Sequence, residues 1–172
     1  TKCPECNFFI DVSKESCRRC GFKIPDEYRR YKQLMLDGKF DEALEVLEGV
    51  NVKGVGHDLN KVELLRILKK FRRALHLLDD LWLEPDYKSI EDPKEKKELH
   101  KIITDIWEHI KMTLLLMGRE DLRTEMKYFS TYSGGDRMTL EIINRLLEIV
   151  PGDSEALEYK KETLATMKYK DE

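Results

Sequence analysis

The sequence predicts a mainly α-helical protein that carries a small metal-bound segment at its N-terminus. Three observations support this fold class. All four cysteines of the 172-residue chain lie within its first twenty residues. From Glu27 onward the apolar residues recur at helical spacing, with hardly any alternation of period two. A ten-residue pattern also occurs twice at an offset of 31 residues, which is typical of stacked helical repeats.

The N-terminal segment is defined by two cysteine pairs, Cys3-Pro-Glu-Cys6 and Cys17-Arg-Arg-Cys20-Gly21, with ten residues between them. Four thiolates at this spacing match the ligand set of a tetrahedral Zn²⁺ ion. We therefore expect Cys3, Cys6, Cys17 and Cys20 to hold one structural zinc ion. Metal ligation would replace a hydrophobic core as the source of folding energy for this segment. An iron site and a redox dithiol are the alternatives, and the all-cysteine ligand set without a cofactor motif favours zinc.

Residues 3–21 resemble the short zinc ribbons of the double CPxCG type. In that family the residue after each knuckle adopts a left-handed conformation and backbone N–H groups point at the sulfur atoms. Gly21 fits this requirement, and Asn7 stands at the equivalent place in the first knuckle. We expect residues 8–12 to form a short strand that partly covers the metal. Pro25 ends the ribbon, and Asp26 is expected to cap a helix that begins at Glu27.

The helical body contains a repeated pattern, in which residues 38–47 align with residues 69–78. Each copy has an aromatic residue, an alanine three positions later and a leucine four positions after that. This pattern resembles the turn and second helix of the tetratricopeptide repeat (TPR), which implies antiparallel helix pairs. Pro85 follows the second copy near the place where that repeat has a proline. A third match runs from Gly134 to Pro151, with Thr139 in the position of the small residue.

The two resemblances imply a zinc ribbon over residues 1–24 and a TPR-like all-α domain over residues 25–172. The repeats are expected at roughly 27–50, 58–86 and 94–151, followed by a solvating cap helix at 154–168, for which Asp153 or Ser154 is the expected N-cap. The third repeat is irregular, because it contains one long helix at 94–117 whose partner lacks the small residue. A generic all-α bundle is the alternative for the whole body.

The long helix at 94–117 carries apolar residues on more than one stripe. We expect most of them to be core, including Ile102, Ile106, Trp107 and Ile110. Any part of this surface left exposed would serve a homodimer or a partner helix.

Charge is distributed unevenly along the chain. The net charge is −3, yet residues 1–32 carry +3 and the remainder carries −6. One basic cluster lies in and just after the ribbon, and it consists of Arg18, Arg19, Lys23, Arg29 and Arg30. The other straddles the turn of the second repeat, and it consists of Lys61, Arg66, Lys69, Lys70, Arg72 and Arg73. Such clusters predict contact with RNA or a ribonucleoprotein such as the ribosome, and a solvated, ion-paired face is the alternative.

The sequence therefore favours a non-enzymatic adaptor that binds a ribonucleoprotein through its ribbon and a protein partner, or a second copy, through its helical body. A pure protein–protein scaffold and a transcription accessory factor are the alternatives. No catalytic motif is found: the four histidines lack metal spacing, and all four cysteines are assigned to zinc. No apolar run is long enough for a membrane span, and no signal peptide opens the chain, so a cytoplasmic location is expected.

The amide content bears on the source of the protein. Glutamine occurs once and asparagine four times, while lysine and glutamate are abundant. This bias favours a thermophilic source, and an ordinary helical protein rich in lysine and glutamate is the alternative.

Overall fold

A computed structural model describes residues 1–83, 91–132 and 134–171 of the chain. Within these ranges it confirms the predicted mainly α-helical class, and the only β pairing is two isolated bridges in the ribbon. The described residues form eight helices: α1 Asp26–Leu36, α2 Phe40–Gly49, α3 Val55–Ile67, α4 Phe71–Leu83, α5 Pro93–Leu115, α6 Arg119–Thr131, α7 Asp136–Ile149 and α8 Ser154–Asp171.

The two copies of the repeated pattern occupy equivalent places in the fold. After α1, Gly38 has φ 71°, and the N–H of Lys39 donates to the carbonyl of Leu34 at 2.9 Å. After α3, Lys69 has φ 56°, and the N–H of Lys70 donates to the carbonyl of Leu65 at 2.8 Å. Both are Schellman endings, in which a left-handed residue turns the chain and satisfies a helix carbonyl. The sequence repeat is thus a structural repeat of helix, left-handed turn and helix.

Small residues allow the helices of the first part of the chain to pack closely. Helix α1 packs on α2, α2 on α3 and α3 on α4. Ala43 and Ala74, the small residues of the two copies, are completely buried, as are Leu47 and Leu78. An alanine at a helix contact lets the neighbouring backbone approach, and the leucine a turn later fills the space beside it. These four residues therefore lie in the core of the first part of the chain.

The contacts divide the chain into two compact units, Thr1–Ile110 and Lys111–Glu172. In the second unit α6 packs on α7 and α7 on α8. The Asp153 carboxylate accepts the N–H of Ala156 at 3.1 Å and forms ion pairs with Arg119 and Arg123. These contacts, led by the Ala156 N–H, lower the pKa of Asp153. Asp153 is therefore the N-cap of α8, which confirms one of the two predicted caps.

Several element predictions need correction. Helix α1 begins at Asp26 after Pro25, one residue earlier than predicted, and the Asp26 carboxylate pairs with Arg29 instead of capping the helix. On α5, Ile110 is completely buried, whereas Ile102, Ile106 and Trp107 are half-buried. The range 94–151, predicted as one irregular repeat, contains three helices, α5, α6 and α7. Pro85 lies outside the described residues.

Among the described residues, no helix combines the length and the apolar character that crossing a bilayer requires.

Candidate metal centre

The four predicted ligands meet at one point. The Sγ atoms of Cys3, Cys6, Cys17 and Cys20 all lie within 4.8 Å of one another. Two of the separations, Cys3 to Cys20 and Cys6 to Cys17, are 3.6 Å. Four sulfurs at about 2.3 Å from a central ion form a tetrahedron with edges of about 3.8 Å. The cluster therefore fits a single tetrahedral metal ion, and the separations are too long for disulfide bonds.

The two cysteine pairs form equivalent knuckles, offset by fourteen residues. The N–H of Asn7 donates to the carbonyl of Cys3 at 3.0 Å, and the N–H of Gly21 donates to that of Cys17 at 2.9 Å. Asn7 and Gly21 have φ 59° and φ 76°. Both residues thus take the left-handed conformation that the ribbon resemblance implies, and asparagine adopts it more readily than other non-glycine residues.

Backbone N–H groups are aimed at the sulfur atoms. The Cys3 sulfur accepts hydrogen bonds from the N–H groups of Glu5 and Cys6, and the Cys17 sulfur accepts them from those of Arg19 and Cys20. Such bonds stabilise negative charge on sulfur and orient the ligand for a metal.

The thiols differ in how readily they ionise. Burial raises the pKa of Cys3 to about 12, and burial also raises that of Cys6. Burial acts in the same direction at Cys17, but there the N–H groups of Cys20 and Arg19 outweigh it and lower the pKa to about 7. A completely buried thiolate at Cys3 needs a cation beside it. A bound divalent metal supplies that charge, so metal binding at this site releases protons.

The expected strand over residues 8–12 is not formed. Phe9 makes one isolated antiparallel bridge to Lys2, and the rings are exposed, Phe8 at 49% and Phe9 at 79%. The pairing consists of two backbone bonds, from the N–H of Cys3 to the carbonyl of Phe8 at 2.7 Å and from the N–H of Ile10 to the carbonyl of Thr1 at 3.1 Å. The first knuckle is covered instead by the start of α3, which approaches the backbone of Cys3 and Pro4.

The first knuckle lies directly against the start of α3. An added Cβ at Gly56 would overlap the carbonyl oxygen of Cys3, and one at Gly54 would overlap that of Pro4. Gly54 also has φ 140°, a conformation that side chains rarely adopt. Two glycines therefore let the metal-binding backbone touch the helix backbone, which explains why Cys3 and Pro4 are buried.

Hydrogen bonds hold the ribbon in this position. Asn60 of α3 accepts the N–H of Lys2 at 2.8 Å and donates to the carbonyl of the same residue at 2.9 Å. One turn earlier on the same helix, His57 is 1% exposed, and its Nδ1 lies 2.6 Å from the hydroxyl of Tyr28 on α1. The ribbon, α1 and α3 thus share one buried polar layer, in which each group depends on the other elements for its partner.

The His57 side chain makes stability depend on pH. Burial, and to a smaller extent Lys61, lower the pKa of His57 from 6.5 to about 4, opposed weakly by the Leu47 carbonyl. Between pH 6.5 and about pH 4, His57 is protonated in the unfolded chain but neutral in the folded protein. The free energy of unfolding therefore falls as the pH falls through this range. We expect His57 to account for a loss of about 2 kcal/mol between pH 7.5 and pH 5.0.

Chemical denaturation of the metal-loaded protein at several pH values measures this dependence. His57→Gln should flatten it by the stated amount, whereas His100→Gln, on the exposed surface of α5, should leave it unchanged. Equal pH slopes for the parent protein and His57→Gln would contradict the prediction.

The first basic cluster is only partly available to a ligand. Arg29 ties the ribbon to α1, since its Nε donates to the carbonyl of Val12 at 2.9 Å and its side chain pairs with Asp26. The Arg19 guanidinium lies 3.3 Å from the centre of the Phe8 ring. The remaining members are exposed and form no ion pair within the described part of the chain, and they are Arg18, Lys23 and Arg30.

The second basic cluster is largely neutralised by acidic neighbours. Four of its six members form ion pairs: Lys61 with Asp58 at 3.5 Å, Arg66 with Glu63 at 2.5 Å, Lys70 with Asp41 at 3.4 Å and Arg73 with Glu48. Lys69 and Arg72 complete the cluster. Such pairing leaves little net positive field, and it favours the solvated face that the sequence left open as the alternative.

Sequence reasoning missed the residues that seat the ribbon, which are Gly54, Gly56, Asn60, His57 and Tyr28. The sequence did contain one signal, because Gly54-Val-Gly56-His57 places two glycines at the start of an apolar helix. Glycine weakens a helix, so its presence there indicates a packing reason such as the close approach of another backbone. Nothing in the sequence near these glycines indicates that the approaching segment is the first knuckle.

Comparison of the chain with protein-family models, with curated proteins and with solved structures finds no match. The evidence for the metal centre is therefore the geometry of the four cysteines themselves.

Proposed function

We propose that this chain is a non-enzymatic adaptor with one structural Zn²⁺ ion, whose ribbon binds RNA or a ribonucleoprotein such as the ribosome. Zinc is the metal that four thiolates in a tetrahedral arrangement favour, and a site with four protein ligands has no open position for catalysis. The helical body acts as a TPR-like docking surface for a protein partner. Its repeated Schellman turns and buried alanines support that assignment.

One observation carries the RNA-binding part of the proposal. Arg18, Lys23 and Arg30 are exposed on or beside the ribbon and form no ion pair with other described residues, whereas most of the second cluster is paired. Unpaired cations gain the most from phosphate, because binding releases counterions without breaking an existing ion pair. The metal keeps the backbone beneath Arg18 in a fixed turn, so its guanidinium is positioned in advance.

The proposal predicts a salt-sensitive interaction with single-stranded RNA. Fluorescence anisotropy with a labelled uridine 20-mer at several salt concentrations measures it. Arg18→Glu combined with Arg30→Glu should weaken binding at least about tenfold at ~100 mM salt and should lower the log–log salt slope by about two. The control is Lys161→Glu combined with Lys168→Glu, which makes the same charge change on exposed positions of α8 and should bind like the parent protein.

Two results would refute this part of the proposal. One is equal RNA affinity for the ribbon variant and the α8 control. The other is a protein that stays at the top of a density gradient when cell extract is sedimented at low salt, which would exclude the ribosome. A protein–protein scaffold without nucleic-acid contact is then the second candidate, and the acidic groove described below favours it.

A further inference from the structure

A groove of about 830 Å³ lies beside the metal centre, within the first unit. One wall is the first knuckle, including Cys6, Phe8 and Phe9. Another is the segment 53–55 that precedes and begins α3, and the third is the N-terminal half of α5 with the two residues before it. The groove thus lies where the ribbon, the seat of the ribbon and a long helix meet.

The α5 wall presents carboxylates. Glu91, Asp92, Glu95 and Glu98 all line the groove, followed by Leu99 and Ile102 on the same helix face. The lysines of this stretch, Lys94, Lys96, Lys97 and Lys101, are not lining residues. The acidic residues of this stretch therefore lie on the side that faces the groove, and its lysines lie elsewhere on the helix.

Few basic side chains lie close enough to neutralise the acidic residues of the groove. Among the described residues, five carboxylates line the groove, including Glu5 of the knuckle, against two ammonium groups, those of Lys2 and Lys53. Within the described ranges, Glu91, Glu95 and Glu98 form no ion pair, and Asp92 accepts the N–H of Lys94 at the start of α5. The lining thus has a net negative charge that is left for a ligand to neutralise.

The knuckle wall adds exposed aromatic surface. Phe8 and Phe9 are among the most exposed large apolar residues of the first unit. Cations already lie over both rings: the Lys2 ammonium is 4.6 Å from the centre of Phe9, and the Arg19 guanidinium is 3.3 Å from that of Phe8. One face of each ring is thus occupied by a cation of this chain, and the ring surface that remains exposed can receive an apolar side chain.

We propose that this groove binds a basic peptide segment of a partner protein, one that carries lysine or arginine residues and a large apolar residue. The basic side chains meet the carboxylates of α5, and the apolar residue covers Phe8, Phe9 and the Leu99–Ile102 stripe. RNA is disfavoured here, because five carboxylates repel phosphate. The inference does not depend on RNA binding by the ribbon, since it uses a different set of residues.

Fluorescence anisotropy of the zinc-loaded full chain with synthetic peptides tests the groove. The probe is a labelled 14-mer of lysine and arginine with leucine at every fourth position. A second peptide replaces the basic residues by glutamate, and a third replaces leucine by serine. We expect the first to bind, the second not to bind, and the third to bind several-fold more weakly.

Groove variants locate the binding. Glu95→Lys combined with Glu98→Lys should weaken binding of the first peptide at least about tenfold, and Phe9→Ala should weaken it several-fold. Glu158→Lys combined with Glu162→Lys makes the same charge change on exposed positions of α8, and it should bind like the parent protein. Circular dichroism and zinc content confirm that each variant is folded and loaded.

Four outcomes would overturn the proposal. These are no binding of the basic probe, equal binding by the glutamate peptide, equal loss in the groove and α8 variants, and sedimentation as a dimer that Glu95→Lys with Glu98→Lys abolishes. The last would assign the groove to a second copy of the chain.

Discussion

Removal of the metal is expected to unfold the ribbon and to destabilise the helices beneath it. The ribbon has few buried apolar residues of its own, so metal ligation supplies most of its folding free energy. Its first knuckle also covers the start of α3, where the backbone of Cys3 approaches Gly56 and that of Lys2 bonds to Asn60. Without the knuckle this surface is exposed to water.

A chelator, or Cys3→Ser, should therefore lower the midpoint of thermal unfolding of the first unit by more than about 10 °C. Elemental analysis should find one zinc ion per chain before chelation. Cys3 is the informative ligand, because it is completely buried and its backbone lies against Gly56 of α3. Ser16→Ala, an exposed position in the same ribbon, is the control and should leave both zinc content and midpoint unchanged.

A metal-free protein that keeps dispersed ribbon resonances and an unchanged midpoint would contradict this prediction. So would a bound metal with a coordination position open to small ligands, since four sulfur ligands leave none. If metal removal unfolds the ribbon but leaves the stability of α1 and α3 unchanged, the metal site stands and its coupling to the helices is refuted.

Replacement of one glycine is expected to have the second large effect. Gly56 lies within α3, where alanine would ordinarily stabilise the helix by up to about 1 kcal/mol. Its added Cβ would instead overlap the carbonyl oxygen of Cys3, a backbone atom that a metal-bound knuckle holds in place. We expect Gly56→Ala to destabilise the protein by about 3 kcal/mol, because neither backbone can move away without breaking the site.

Gly49→Ala is the matched control. Gly49 is also helical, at the end of α2, and an added Cβ there meets no atom within 4 Å. It should be neutral or slightly stabilising, so the two variants should differ in sign under the same denaturation measurement. If Gly56→Ala is as benign as Gly49→Ala, the ribbon does not lie against α3 in solution.

Metal removal and the glycine substitution act on the same contact from its two sides. If the contact carries the stability, chelation should have a smaller effect on Gly56→Ala than on the parent protein. The effects should be non-additive, since both changes remove the same docking interaction.

The metal centre was predictable from the sequence because its determinants are local. Cys3 and Cys6, and likewise Cys17 and Cys20, are separated by two residues, and the left-handed positions at Asn7 and Gly21 follow directly. Thiolate chemistry and turn geometry at such spacing leave few alternatives. The helices were predictable for the same reason, as the periodic burial of Ala43, Leu47, Ala74 and Leu78 confirms.

The interactions of the basic residues were decided by the tertiary structure. Arg66 pairs with Glu63 three positions away, a spacing that the sequence displays, but Arg73 pairs with Glu48 and Lys70 with Asp41 across separate helices. A cluster of basic residues in the sequence is therefore not a basic surface until the packing of its neighbours is known. Arg29 illustrates the same point, because its guanidinium holds the ribbon loop.

What the sequence by itself determined is the chemistry of the four sulfur ligands and the helical nature of the body, since both depend on residues within a few positions of one another. Only the tertiary structure decided where the ribbon lies, because the partners Lys2 and Asn60 are 58 positions apart and no local preference joins them. It also decided that the α5 carboxylates face Phe8 and Phe9. Such contacts depend on how whole elements pack, and backbone approach at Gly54 and Gly56 is what makes this packing possible.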